Sequence, residues 1–144
     1  MELFNKVRDL WMEIKEIKPG MKNEVTDRVT EDKTAKVMGS GSLPVYATPA
    51  MCCLMERAAA ELATSLLPKG YTSVGGSLNI LHKAPTPLRG RIRAEAVVES
   101  VEEPKITYRV AAYDEAGLIG EGRHERFVVN EEKFMGKASA RLQS

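Results

Sequence analysis

At 144 residues, with 43% hydrophobic and 28% charged side chains, the chain has the length and composition of one folded domain. Its 21 basic against 20 acidic residues leave a net charge of +1, without the basic excess that marks a dedicated nucleic-acid binder. No run approaches the roughly 20 apolar residues of a membrane span. The two histidines have no metal-ligand spacing, so neither a metal nor a cofactor is expected.

The first pattern is helical. Leu3, Phe4, Val7, Leu10, Trp11, Ile14 and Ile17 recur at three- and four-residue spacing, and Pro19-Gly20 ends the run. Its polar face mixes Lys6, Arg8, Asp9, Glu13, Lys15 and Glu16, whereas a membrane-surface helix is dominated by Lys and Arg. This predicts an amphipathic helix over 1–18, packed on the domain or on a partner subunit, ahead of a single domain over 19–144. Residues 21–30 read as a strand, and 32–46, with Gly39, Gly41 and Pro44, as irregular.

A second helix is predicted from Thr48 to about Leu67, with Thr48 at the N-cap, Pro49 at the first helical position and Pro68-Lys69-Gly70 as the stop. It is apolar around most of its circumference, which predicts burial on most sides. Cys52 and Cys53 are neighbours, and neighbouring helix positions point about 100° apart, so they cannot bond to each other. With no signal-peptide-like start, they read as reduced thiols of a cytoplasmic protein. Neither has an obvious local base for catalysis.

The period then changes. Segments near 72–84, 91–103, 105–114 and 117–130 are rich in Val, Ile, Thr and Tyr, and their short connections predict a four-stranded antiparallel meander. Ile92, Ala94, Ala96 and Val98 alternate with Arg91, Arg93, Glu95 and Val97, one dry face and one wet. Arg89, Arg91 and Arg93 read as solvated surface. Gly75-Gly76 inside a strand marks a bulge or a close backbone approach. The polar tail from Glu131 reads as fraying beyond a short helical turn. The layout is α+β, and a curved antiparallel sheet wrapped around one apolar helix is the hotdog arrangement. Such a sheet leaves an edge open, commonly closed by a second copy, which predicts a homodimer or higher homo-oligomer.

Three polar residues stand out. Eight residues of helix turn through about 800°, so Thr48 and Glu56 share a broad face, about 12 Å apart along the axis. His82 ends a strand just before a proline-rich turn. Backbone N–H groups near Ala50 and Met51 would favour an anionic oxygen. Oxyanion donor, hydroxyl or positioned water, and base are what thioester hydrolysis requires. Taken singly, each has a plainer reading: Thr48 as a cap, Glu56 as a surface partner of Arg57 or Arg126, His82 as a structural histidine.

Together, ATPAMCCLMERAA (Ala47 to Ala59), GGSLNILHKAPTP (Gly75 to Pro87) and GEGRHERFVV (Gly120 to Val129) resemble the fluoroacetyl-CoA thioesterase type of hotdog protein, in order and spacing, over residues 20–137. The resemblance implies hydrolysis of an acyl-CoA to an acid and free coenzyme A, with Thr48, Glu56 and His82 as the catalytic set. It places Gly75 where the acyl group approaches the backbone, with Gly76 beside it. Arg126 of the His124-Glu125-Arg126 triplet would hold Glu56 or contact substrate. Whether Thr48 attacks directly or positions a water stays open. Ser42-Leu43-Pro44 lacks the aromatic side chains that cover the acyl group in fluoroacetyl-specific members, which leaves the acyl group open. The rival readings are a non-catalytic hotdog module that binds an acyl-thioester or a small apolar ligand, and a dehydratase-type hotdog enzyme. Thr48 speaks against the dehydratase, whose chemistry needs no hydroxyl at the helix start.

Overall fold

The structure is a computed structural model and describes residues 16–143. Of the expected 1–18 helix only the last residues fall among these, and the rest lies outside the described residues. Ile17 is buried in the core.

Five strands form one antiparallel sheet: β1 (Lys22–Arg28), β2 (Tyr71–His82), β3 (Arg91–Glu102), β4 (Lys105–Asp114) and β5 (Gly117–Asn130). Spatial order is β1-β3-β4-β5-β2. The expected four-stranded meander is therefore corrected. Only β3, β4 and β5 follow one another; β2 pairs with β5 at the opposite edge, Tyr71 facing Asn130 and His82 facing Gly120. Two edges stay open, β1 and β2, rather than one.

The chain crosses from β2 to β3 through residues 83–90, and that crossing is tied down. Tyr46 N–H donates to the Thr86 carbonyl at 2.8 Å, buried Thr86 donates its hydroxyl to Asp114 at 2.6 Å, and Val29 N–H donates to Gly90 at 2.9 Å. Register breaks between Gly75 and Ser77, between Val98 and Ser100, and between Ala112 and Tyr113 bend the sheet.

The hollow so formed holds the central helix. Between the first strand and this helix lie a single 3₁₀ turn, Glu31–Lys33, and a four-residue helix, α1 (Ala35–Met38), capped by the Thr34 hydroxyl. The central helix, α2, runs Thr48–Leu66. It buries Ala50, Met51, Leu54, Met55, Ala58, Ala59 and Ala63, while Cys53, Arg57, Glu61 and Thr64 are exposed. The helix is thus covered around most of its circumference, with one exposed strip along Cys53, Arg57, Glu61 and Thr64. The sheet's inner face, including Ile92, Ala94, Ala96, Val98, Ile106, Val110 and Ala112, takes the buried side. Alanine on both surfaces lets the helix lie close to the sheet.

The tail also departs from expectation. Glu131–Ala140 form a ten-residue helix, α3, because the Asn130 side chain accepts from Lys133 N–H at 3.0 Å and Glu131 and Glu132 sit in the first turn.

Candidate active site

Thr48 is not the cap of α2. Ala47 is the N-cap and makes no side-chain hydrogen bond, Thr48 is the first helical residue and Pro49 the second. The hydroxyl is therefore free of the helix end, and it meets His82 Nδ1 at 2.7 Å. The crossover explains the meeting: His82 is the last residue of β2, and the turn after it is bonded to the segment that leads into α2.

The N–H of Met51 donates to Ala47 at 3.0 Å and is spent. The Thr48 and Ala50 N–H groups have no acceptor among the described residues, and Pro49 has no N–H to offer. The N–H groups left to face an anionic oxygen at this end are those of Thr48 and Ala50, not Met51. A cavity of about 320 Å³ opens beside the pair, lined by Ala35, Ser40, Val45, Tyr46 and Lys83 as well as Thr48 and His82. Ser42, Leu43 and Pro44 lie on the surface beyond it.

His82 is half-buried, and its Nε2 is enclosed with no hydrogen-bond partner among the described residues. Burial lowers its pKa from the ordinary 6.5, and the Ala84 backbone opposes that only in part. The ring is accordingly biased towards the neutral, proton-accepting form.

Glu56 belongs to a second group, two helical turns further on. Its Oε2 lies 3.6 Å from Arg126 Nη1. Arg57 turns away and pairs with Glu61 at 2.9 Å. Gly75 faces the carboxylate so closely that a Cβ there would lie 2.6 Å from Oε2. Gly76 fills a different need: a Cβ would strike the Phe127 ring, and this glycine is the residue left over at the Gly75/Ser77 register shift.

Arg126 is only 7% exposed. It donates from Nε to the Ser73 hydroxyl at 2.8 Å and from Nη2 to the Ser73 carbonyl at 2.9 Å. Its Nη1 faces His124 Nε2 at 3.2 Å. His124 is buried, its Nδ1 is 2.7 Å from the Ser77 carbonyl, and burial lowers its pKa. The structure thus joins Thr48 with His82, and Glu56 with Gly75 and Arg126. It shows no direct contact between the two groups.

Ser73 and His124 escaped the reading of the chain as members of this cluster. A signal existed, since His124, Arg126 and Val128 alternate onto the inner face of β5, and two polar side chains there need partners.

The Tyr108 ring lies against His124, centroids 6.2 Å apart, and its hydroxyl is buried without a partner among the described residues. Burial pushes that phenol up to about 12. Removing an unsatisfied hydroxyl removes a desolvation cost, so Tyr108→Phe is expected to leave stability within about 1 kcal/mol or raise it. A urea titration checks this. Cys52 and Cys53 are both free thiols. Burial, with Glu56 next, raises the Cys52 pKa, which disfavours a thiolate nucleophile. A larger groove of about 610 Å³, lined by Arg28, Arg91 and Arg93 beside Asp27, Asp114 and Glu115, holds none of the expected site residues.

A helix N-terminus presenting a threonine to a strand-end histidine, on a sheet curled around that helix, defines a hotdog-fold thioesterase. A solved hot-dog-like protein from Thermanaerovibrio acidaminovorans superposes with a TM-score of 0.83 at 22% identity, over 93% of this chain and 98% of that one, and supports the fold. The family model for fluoroacetyl-CoA-specific thioesterase matches residues 29–132. The fluoroacetyl-CoA thioesterase of Streptantibioticus cattleyicolor is 38% identical over 93 residues, 65% of this chain and 67% of that protein. A mutant of the fluoroacetyl-CoA-specific thioesterase FlK, solved in complex with fluoroacetate and CoA, is 31% identical with a TM-score of 0.78, over 82% of this chain and 99% of its own. The chain belongs to the fluoroacetyl-CoA-specific thioesterase family and is an enzyme that hydrolyses acyl-CoA thioesters.

Proposed function

We propose that Thr48, His82 and Glu56 carry out this hydrolysis on a short acyl group, with the 2.7 Å approach of Thr48 Oγ1 to His82 Nδ1 as the observation that carries the reading. With the ring proton on Nε2, Nδ1 accepts the hydroxyl proton as Oγ1 attacks the thioester carbonyl. The carbonyl oxygen takes up negative charge beside the Thr48 and Ala50 N–H groups. Collapse breaks the C–S bond, and the imidazolium returns its proton to the leaving thiolate. Water then cleaves the threonyl ester, releasing the acid and restoring the hydroxyl. Glu56, two turns along the helix, orients that water. Arg126, buried and bonded on three sides, sets the position of the carboxylate. The alternative course omits the ester, with Thr48 holding the attacking water instead.

The cavity beside Thr48 lies at the small end of ligand sites, which run from about 300 to 1,000 Å³. Its apolar lining is Ala35, Val45, Ala84 and Pro85 with Tyr46, which supports a short aliphatic acyl group. The open edge at β2, a ready template for pairing with a second copy, supports a homodimer. Free Cys52 and Cys53 support a cytoplasmic setting, and no helix among the described residues is long and apolar enough to cross a membrane.

The test is a panel of acetyl-, propionyl-, butyryl- and fluoroacetyl-CoA with a thiol reagent. Thiol release is expected, whereas thermal stabilisation by acyl-CoA without release would make the chain a binder. In the same assay the acid limb of kcat/KM is expected below pH 6.5, because the base must be neutral and its pKa lies below that ordinary value. An acid limb that persists unchanged in the residual activity of His82→Ala would remove His82 as the base.

A further inference from the structure

We propose that His124 is a positioning residue for the hydrolysis, a neutral relay that ties the β2 bulge to Arg126 and through it fixes the Glu56 carboxylate. The inference rests on the catalytic reading above.

Its hydrogen bonds settle the form of the ring. A carbonyl oxygen only accepts, so the 2.7 Å contact with Ser77 requires the proton on Nδ1. A guanidinium only donates, so the 3.2 Å contact with Arg126 Nη1 requires a lone pair on Nε2. Both are met by the neutral Nδ1–H tautomer alone. A proton on Nε2 would face the guanidinium and add a second positive charge in a buried place. Burial and Arg126 both act against that, and they outweigh the Ser77 carbonyl, Glu56 and Glu125, which favour the charged form.

The relay joins two things that bound the carboxylate. On one side, Ser77 follows the bulge whose Gly75 leaves no room for a Cβ beside Glu56 Oε2. On the other, Arg126 is aimed by three acceptors, the Ser73 hydroxyl, the Ser73 carbonyl and His124 Nε2. Two of the three hold Nε and Nη2. His124 holds Nη1, the nitrogen that faces Glu56 at 3.6 Å. Nη1 gives a hydrogen to the imidazole and faces the carboxylate as a charge contact rather than a hydrogen bond. Without the imidazole, the nitrogen beside the carboxylate loses its hydrogen bond. The Tyr108 ring packed against the imidazole keeps its plane in place.

The experiment is steady-state hydrolysis of acetyl-CoA, or of whichever panel member turns over fastest, by wild type, His124→Phe, His124→Gln, Glu56→Gln and the His124→Phe/Glu56→Gln double variant. A ¹⁵N spectrum of the wild-type imidazoles at neutral pH accompanies it. Phenylalanine keeps the ring and loses both bonds, and is expected to lower kcat about tenfold with KM within about twofold. Glutamine offers a donor and an acceptor and is expected to restore kcat to within about threefold of wild type. In the Glu56→Gln background the phenylalanine should cost less than about twofold more, because its effect acts through the missing carboxylate.

Wild-type kcat in folded His124→Phe, or a full additional loss in the double variant, overturns the relay while leaving the thioesterase reading in place. A spectrum with His124 protonated on Nε2 overturns it too, and decides the matter if His124→Phe does not fold. Absence of thiol release by wild type on every panel member overturns both readings.

Discussion

Thr48→Ala and His82→Ala are each expected to lower kcat by about 10²–10³-fold with little change in KM, since each removes a group engaged only as the carbonyl is attacked. The two losses should not add: without the hydroxyl the imidazole has no proton to accept, so the double variant should resemble either single one. Circular dichroism should be unchanged, because Thr48 is exposed and does not cap the helix. Glu56→Gln separates the two courses of reaction. If Thr48 is the nucleophile, impaired water attack lets the acyl group accumulate on it, seen as a mass increase of the intact protein after rapid quenching. Lost turnover with no covalent adduct assigns Thr48 to holding the water. Near-wild-type turnover in all three variants would remove the catalytic assignment.

Gly122→Ala is expected to destabilise the fold by about 3 kcal/mol or more and to abolish activity with it, although Gly122 touches neither Thr48 nor Glu56. A Cβ at this position would collide with the Asn79 carbonyl oxygen and sit 2.7 Å from Ile80 Cα. Both obstacles are backbone of β2, which cannot turn aside as a side chain can. Gly122 lies opposite Ile80 in the ladder, two residues from the end that carries His82. Relief of the clash would prise β2 away from β5 and carry the imidazole off the hydroxyl. Chemical denaturation together with kcat/KM on one preparation checks both parts. A variant of wild-type stability would show that the two strands are not in such close contact. Gly75→Ala makes an instructive contrast, because the atom in the way there is Glu56 Oε2, the end of a flexible side chain. Activity should fall with little loss of stability.

Much of this architecture can be read from local pattern. The alternation of Ile92, Ala94, Ala96 and Val98 marks β3 and its buried face, and the turns at Pro104 and Gly117 separate it from β4 and β5. Pro49 and Pro68 bracket α2. Strand order is another matter. Nothing between Lys83 and Gly90 states that the chain crosses to the far edge, because that choice is decided by which strand covers β5, about 40 residues later. The role of Thr48 was obscured by one residue of register: Thr before Pro is a common cap signal, and Ala47 gives no sign of being the cap instead. The exposed strip of α2 was hidden because Cys53 looks as apolar as the residues beneath it. His124 was legible only as part of a triplet. Its importance depends on Ser73 and Ser77 arriving from another strand, which no spacing along the chain encodes.

Placing β2 beside β5 also has a consequence for how the enzyme comes into being. Strand β2 precedes its ladder partner in the chain, with β3 and β4 between them, so the partner is synthesised later. Until residues 117–130 have emerged, the strand bearing His82 has no partner in the sheet. The meeting of Thr48 with His82 therefore waits on a contact that is distant along the chain, that of β2 with β5.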